Sequence, residues 1–289
     1  MNQPWRFAAA FLNLNLIALT LSLPNCGTAS AAFPSDLPGA QWTLAWSDEF
    51  NNASGSAPDA AKWTFDTGGG GWGNNELEYY TNRPANAQIQ NGSLVITALD
   101  KPYTGPDGVT RNYTSARVKT AGNFEQTYGR FEARVKIPSG QGMWPAFWML
   151  GDNIGRGGWP ACGEVDIMEN VGKEPTRIHG TIHGPGYFGA GGISAPYALR
   201  RGKFSDDYHV FAIEWEPKTI RFYVDNILYA TRTPADLPPG TAWVYDHPFF
   251  IILNLAIGGS WPGNPDNSTN FPQSMLVDYV RVYKRSGSF

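Results

Sequence analysis

The chain has 289 residues and a formal net charge of −3, with 22 Lys+Arg against 25 Asp+Glu, so no basic run points to a nucleic-acid partner. Charged residues make up only 16%, and the length suffices for one large all-β core. Aromatic residues reach 14% and glycine 33 positions, a balance that fits many strands joined by turns.

Residues 1–32 read as an export leader. Arg6 supplies the positive start, an apolar stretch follows to Leu23, and Ser30-Ala31-Ala32 offers a small-residue cleavage site before Phe33. Asn13 and Asn15 interrupt the apolar stretch and argue against a retained membrane span. Leu23-Pro24-Asn25 lacks the small residues expected before a lipidated Cys26. Removing the leader leaves 21 basic and 25 acidic residues and a single cysteine, Cys162, so the exported chain stands without an internal disulfide. One domain over 33–289 is expected, since neither a repeat nor a linker interrupts it.

Beyond the leader no helical period persists, and short alternating or β-branched runs recur. They predict strands over 42–47, 87–90, 93–99, 113–119, 129–137, 143–150, 163–170, 177–183, 209–216, 219–224, 249–255 and 276–284. Turn signals separate them: Asn91-Gly92, Pro106-Asp107-Gly108, Pro138-Ser139-Gly140, Glu216-Pro217-Lys218 and Asp225-Asn226. The pattern is that of a two-sheet sandwich of jelly-roll type. Long loops at 68–75, 151–160, 184–194 and 258–270 are rich in Gly and carry Trp72, Trp159 and Trp261, which suits the walls of a binding cleft. No Gly-Lys-Ser/Thr follows Gly68-Gly69-Gly70-Gly71, so a phosphate loop is not indicated.

Glu164-Val165-Asp166-Ile167-Met168-Glu169 carries the chemistry. Strand alternation puts Glu164 and Asp166 on one face and would turn Glu169 away. One extra residue, a β-bulge, returns Glu169 to the acidic face. No Lys or Arg stands between Trp159 and Val171 to neutralise the cluster. Clustered carboxylates raise one another's pKa, a cost that a strand built for stability alone avoids. Two carboxylates facing one sugar bond is the arrangement that glycoside hydrolysis requires. Cys162, two residues before the cluster, reads as a small packed residue, because no His lies near it in sequence to activate a thiol. Trp144 and Trp148 lie four apart on one strand and share a face; Trp261, on a loop, reads as a stacking platform for a sugar. Trp159 and Tyr187 are cleft candidates on loop evidence, and Glu76 either meets a sugar or caps its loop.

These stretches resemble glycoside hydrolase family 16, in its laminarinase branch. The resemblance runs from Trp46-Ser47-Asp48-Glu49-Phe50 to Val277-Asp278-Tyr279-Val280-Arg281-Val282-Tyr283. Between them it takes in Trp72-Gly73-Asn74-Asn75-Glu76, Thr114-Ser115-Ala116-Arg117, Gly142-Met143-Trp144-Pro145-Ala146-Phe147-Trp148-Met149 and Ile257-Gly258-Gly259-Ser260-Trp261-Pro262. It implies an all-β, concanavalin A-like jelly-roll sandwich with a concave substrate cleft. It implies Glu164 as nucleophile, Glu169 as general acid/base and Asp166 as an electrostatic helper. Asn75, Arg117, Trp144, Trp148, His183 and Trp261 are then substrate-binding, with His183 near Asp166 or the sugar. Met168 resembles the laminarinases, agarases and carrageenases; members cleaving mixed-linkage glucan with a Glu-x-Asp-x-Glu motif lack it. The family often carries a structural calcium away from the cleft, here matched to Glu49, Gly92 and Asp278, while the chemistry needs no cofactor.

The expectation is a secreted, monomeric, retaining endo-β-1,3-glucanase acting on laminarin-type β-glucan, with no nucleic-acid partner and no membrane partner after leader removal. The rivals are the same fold acting on mixed-linkage β-glucan or a galactan, a transglycosylase, and a non-catalytic glucan-recognition protein. The last has no need of both Glu164 and Glu169. Asn52, Asn91, Asn112 and Asn267 stand in Asn-x-Ser/Thr sites that matter only in a glycosylating pathway.

Overall fold

Seventeen strands, one four-residue helix and two 3-10 turns form the regular structure among the described residues, Met1 and 42–286 of a computed structural model. The leader expected over 1–32 lies, Met1 apart, outside them. In chain order the strands begin with β1 (Trp42–Asp48), β2 (Thr64–Asp66), β3 (Glu78–Tyr80), β4 (Ala87–Gln90), β5 (Ser93–Thr104), β6 (Thr110–Ser115), β7 (Arg117–Lys119) and β8 (Gly129–Lys136). They continue with β9 (Met143–Gly151), β10 (Glu164–Glu169), β11 (Arg177–His183), β12 (Ile193–Ala198), β13 (His209–Glu216), β14 (Thr219–Val224), β15 (Ile227–Arg232), β16 (Phe249–Ile257) and β17 (Gln273–Arg285).

Ten strands make one sheet in the order β15-β14-β13-β8-β17-β5-β6-β3, with β1 also on β17 and β4 also on β5. The other seven run β12-β11-β10-β9-β16-β7-β2. Every pairing is antiparallel except β3 with β6. This is the jelly-roll sandwich expected from the sequence. Its core lies between the sheets, with Phe131, Ala133 and Val135 of β8 and Phe211, Ile213 and Trp215 of β13 from one side, and Phe147 and Met149 of β9 and Ile251, Leu253 and Leu255 of β16 from the other. A period of two does the sorting: residues that alternate with the core set point out of the sandwich.

On the seven-stranded sheet those outward positions are Trp144, Ala146, Trp148 and Leu150 on β9, Asn254 and Ala256 on β16, and His179, Thr181 and His183 on β11. They are the floor of a cleft.

The chain changes sheets where one strand was expected over 113–119. Thr110–Ser115 pairs with β5 and Arg117–Lys119 with β16 and β2, and the pivot, Ala116, is fully buried between them. β2, β3, β12 and β15 were not anticipated. The first two span three residues, too few to show alternation. β12 holds Pro196 and forms the sheet's edge, where a missing N–H is tolerated.

The calcium expectation meets a different arrangement. Glu49 places Oε1 and Oε2 on Arg281 at 2.9 and 2.8 Å, and Asp278 Oδ2 accepts from Arg134 at 2.9 Å. Gly92, in a left-handed turn at φ +77, offers backbone alone. Two guanidinium charges beside these carboxylates do not fit a cation held by the same side chains.

Gly172 follows β10 and donates its N–H to Met143 O at 2.9 Å. A Cβ there would fall on the backbone carbonyl of Gly140. We expect Gly172→Ala to cost about 2–3 kcal/mol, lowering the thermal midpoint by about 5–10 °C in a melting experiment; an unchanged midpoint would show that the two turns separate freely.

Candidate active site

β10 lies inside the seven-stranded sheet and must serve both faces. Val165, Ile167 and Met168 all enter the core. Regular alternation cannot bury both Ile167 and Met168, and the pairing shows how the strand does it. Against β9, Asp166 faces Trp148 and Met168 faces Phe147, so Ile167 is the extra residue. Against β11, three steps from Asp166 to Glu169 match two from Thr181 to His179. The bulge brings Glu164, Asp166 and Glu169 onto the cleft side. Glu164 and Glu169 oppose His183 and His179, four residues apart, or about 14 Å along the backbone.

An indole holds each outer carboxylate. Trp159 donates Nε1–H to Glu164 Oε2 at 2.7 Å, and Trp144 donates to Glu169 Oε1 at 3.0 Å. His183 Nε2 lies 3.1 Å from Asp166 Oδ2 and 3.8 Å from Glu164 Oε1. Burial, then the charge on Asp166, pushes Glu164 up to about 8, while His183 and the Trp159 N–H pull against that rise. Burial pushes Asp166 up to about 7, with its hydrogen bond to Glu164 acting in the opposite direction. Glu169 stands well above the carboxylate range through burial and the charges of Asp166 and Glu164. Near neutral pH the three acids therefore share protons, and Glu169 has strong cause to keep one.

The cleft holds about 880 Å³. On the side of β9, β16 and β7, Arg117 lies between two indoles, 5.0 Å from the Trp72 ring centre and 4.7 Å from that of Trp148, with Asp66 at 3.0 Å from its Nε. Trp148 donates to Asn254 Oδ1 at 2.7 Å. At the Glu169 end, Trp261 meets Trp144 edge-on at 5.5 Å and the ring of His179 at 5.1 Å. At the Glu164 end, Trp159 is 46% exposed and packs edge-on against Phe188. So Glu164, Asp166, Glu169, Arg117, Trp144, Trp148, His183 and Trp261 all line one cleft.

Asn75 does not line it. It adopts a left-handed φ of +59, and its amide donates to Ser260 Oγ, while its neighbours Asn74 and Glu76 line the wall. Tyr187 is not a cleft residue either: it is 1% exposed, and its hydroxyl donates to Ala242 O. Cys162 is buried and its thiol is pushed up to about 11, first by burial, in keeping with a packing role. Asn254, Thr181 and His179 join the cleft without having been expected. Asn254 is the one polar residue in the apolar run of β16, and His179 and Thr181 share the face of His183.

The sequence profile of glycosyl hydrolases family 16 matches residues 74–281. A beta-glucanase of Rhodothermus marinus is 45% identical over 251 residues, covering 84% of this chain and 85% of that one. The endo-beta-1,3-glucanase structure from Pyrococcus furiosus superposes with a TM-score of 0.83 at 51% identity, covering 87% of this chain and 98% of that one. The laminarinase catalytic domain from Thermotoga maritima gives 0.81 at 49%, covering 85% and 99%. The chain belongs to glycosyl hydrolases family 16.

Carboxyls raised by burial hold protons that the unfolded chain has lost. Stability therefore falls as pH rises from about 4.5, the unfolded value, toward the folded value of Glu164 at about 8. Glu164→Gln removes that loss. We expect the variant to exceed the parent by about 1–3 kcal/mol in denaturant unfolding at pH 8 and to match it near pH 4. A gap independent of pH would contradict the crowding of acids.

Proposed function

We propose that this chain is an exported, retaining endo-β-1,3-glucanase that hydrolyses laminarin-type β-glucans. The observation that carries the reading is the pair of indole-held carboxylates, Glu164 and Glu169, on one wall of an aromatic-lined cleft. Family membership and the likeness to endo-β-1,3-glucanases and laminarinases support the substrate. Export rests on the leader read over 1–32, and among the described residues no helix is long and apolar enough to cross a membrane.

In this reading a glucan chain lies across the strands, with the cut bond above β10. Glu164, ionised, attacks the anomeric carbon as the glycosidic C–O bond breaks. Glu169 gives its proton to the departing oxygen, and a glycosyl ester forms on Glu164. Glu169, now a carboxylate, takes a proton from water. The water oxygen attacks the anomeric carbon from the opposite face, the ester bond breaks, and Glu164 leaves as carboxylate with net retention. Asp166 sits between the two and, with His183, sets the field in which Glu164 ionises. Arg117, Trp148 and Asn254 grip sugars on one side of the cut, and Thr181 and Ser194 meet them on the other. Two carboxylates complete this chemistry without a cofactor. Calcium is left out of the reading because Arg281 and Arg134 hold the carboxylates of Glu49 and Asp278.

The test is release of reducing ends from laminarin, mixed-linkage β-glucan and agarose by the mature chain, beside Glu164→Gln. Laminarin should be the best substrate, and the variant should lose activity by ~10³-fold or more. Binding of laminarin without cleavage by the parent would favour a recognition protein, and faster cleavage of another polymer would replace the substrate.

A further inference from the structure

Behind the cleft wall runs a chain of hydrogen bonds that the mechanism does not use. Trp148 Nε1–H donates to Asn254 Oδ1 at 2.7 Å, Asn254 Nδ2–H donates to the Tyr80 hydroxyl at 3.1 Å, and the Tyr80 O–H donates to Glu76 Oε2 at 3.0 Å. Asn74 Nδ2 donates to the other oxygen, Glu76 Oε1, at 3.1 Å. Every donor points the same way, and Glu76 accepts at both oxygens. The chain thus fixes three residues that line the cleft: Trp148, Asn254 and Asn74.

Beneath Glu76 lies a second carboxyl. Glu78 is 0% exposed. Its Oε2 accepts the N–H of Ile257 at 2.7 Å, and its buried Oε1 has no donor. The Glu76 carboxyl, two residues before Glu78, is the charged group that acts on it. A buried carboxyl oxygen with no donor is satisfied when it carries a proton of its own to give, and Glu76, which already accepts at both oxygens, is an acceptor for it. The groups facing Glu78 are the Glu76 carboxyl from the loop before β3, the Tyr80 hydroxyl from β3 and the Ile257 backbone of β16. Among the described residues no Lys or Arg forms an ion pair with Glu76 or Glu78. Of this group, the Tyr80 hydroxyl feels the charge of Arg117. Complete burial, reinforced by the charge of Glu76, holds Glu78 well above the usual carboxylate range.

We propose that Glu78 is a positioning residue, a neutral carboxylic acid that donates to Glu76 and so holds Tyr80, Asn254 and Trp148 in the geometry that grips sugars on the β9–β16–β7 side of the cut. The role as sugar-gripping geometry rests on the β-glucan reading above. The same acid ties two loops together. Leu77 N–H donates to Ile257 O at 2.8 Å, and Ser260 N–H donates to Asn74 O at 2.8 Å, so the 72–77 and 258–261 segments close on each other beside it.

Glutamine at 78 reproduces the pattern of the neutral acid: its carbonyl accepts from Ile257 and its amide donates to Glu76. Methionine fills the space without a donor. The experiment compares parent, Glu78→Met and Glu78→Gln by kcat and KM on laminarin over a pH series that runs up to the limit of folding, and by near-UV circular dichroism of the indoles without substrate. Glu78→Met should raise KM about tenfold with kcat within about twofold, and alter the indole spectrum. Glu78→Gln should return KM to within about twofold and restore the spectrum. Once the pH is high enough to ionise Glu78 the parent's KM should climb, while that of Glu78→Gln stays level. Glu78→Gln as damaging as Glu78→Met, or Glu78→Met indistinguishable from the parent, would overturn the proposal. Should Glu78→Met not fold, parallel pH profiles of parent and Glu78→Gln would overturn it, and divergent ones support it. A folded parent inert toward laminarin would sink the β-glucan reading instead, and the spectral comparison would still decide the role of Glu78.

Discussion

One residue too many in β10 is the constraint on which the site depends. The strand sits inside a sheet whose neighbours keep a strict period of two, core on one side and cleft on the other. A regular strand delivers Glu164 and Asp166 to the cleft and sends Glu169 into an apolar interior, where an unpaired carboxylate costs several kcal/mol. The bulge lets Ile167 and Met168 both pack in the core and turns Glu169 outward. The buried apolar side chains thereby fix the register of the acids. Chemistry at one face is set by packing at the other.

That placement crowds three carboxyls with one imidazole, and among the described residues no guanidinium or ammonium pairs with them. The crowding opposes ionisation, and the surrounding groups grade it. Each outer carboxyl has an indole N–H and His183 to favour its anion, but Glu164 feels the charge of Asp166 alone, whereas Glu169 feels the charges of both other acids. Two carboxyls in one cleft thus come to different tendencies, which is what a nucleophile and a proton donor need. The back of the sandwich is treated otherwise: Arg130 pairs with Glu132 and Glu214, and Arg281 with Glu49. Guanidinium groups neutralise Glu132, Glu214 and Glu49 there, whereas in the cleft Glu164 and Asp166 meet one imidazole, His183.

Much of this was legible in the sequence. Strands such as β11, β13 and β14 are long enough to show alternation between turn signals, and their bounds follow from it. The Glu164–Glu169 cluster announced the bulge, because three acids in six residues make sense on one face only. What was not legible depends on contacts distant in sequence. Ala116 ends one strand and starts another because it sits between two sheets, and no local signal marks it. Asn75 looked like a cleft residue beside Asn74, but a left-handed backbone turns it onto Ser260. Tyr187 lies in a loop yet is swallowed by the core. Nothing in the local sequence marks Glu78 as buried; β16, whose Ile257 N–H it accepts, closes over it. The calcium expectation failed to foresee that Arg281 and Arg134 reach the same carboxylates from β17 and β8.

The most direct measurement is to trap the reaction halfway. A β-1,3-linked oligoglucoside bearing fluorine at C2 and a good leaving group slows the second step more than the first and leaves the glycosyl ester in place. Proteolysis and mass spectrometry then locate the label. The account predicts one fluorinated oligoglucosyl group per chain, on the peptide containing Glu164 and on that carboxyl. A label on Glu169 or Asp166, or turnover with inversion and no label, would contradict it.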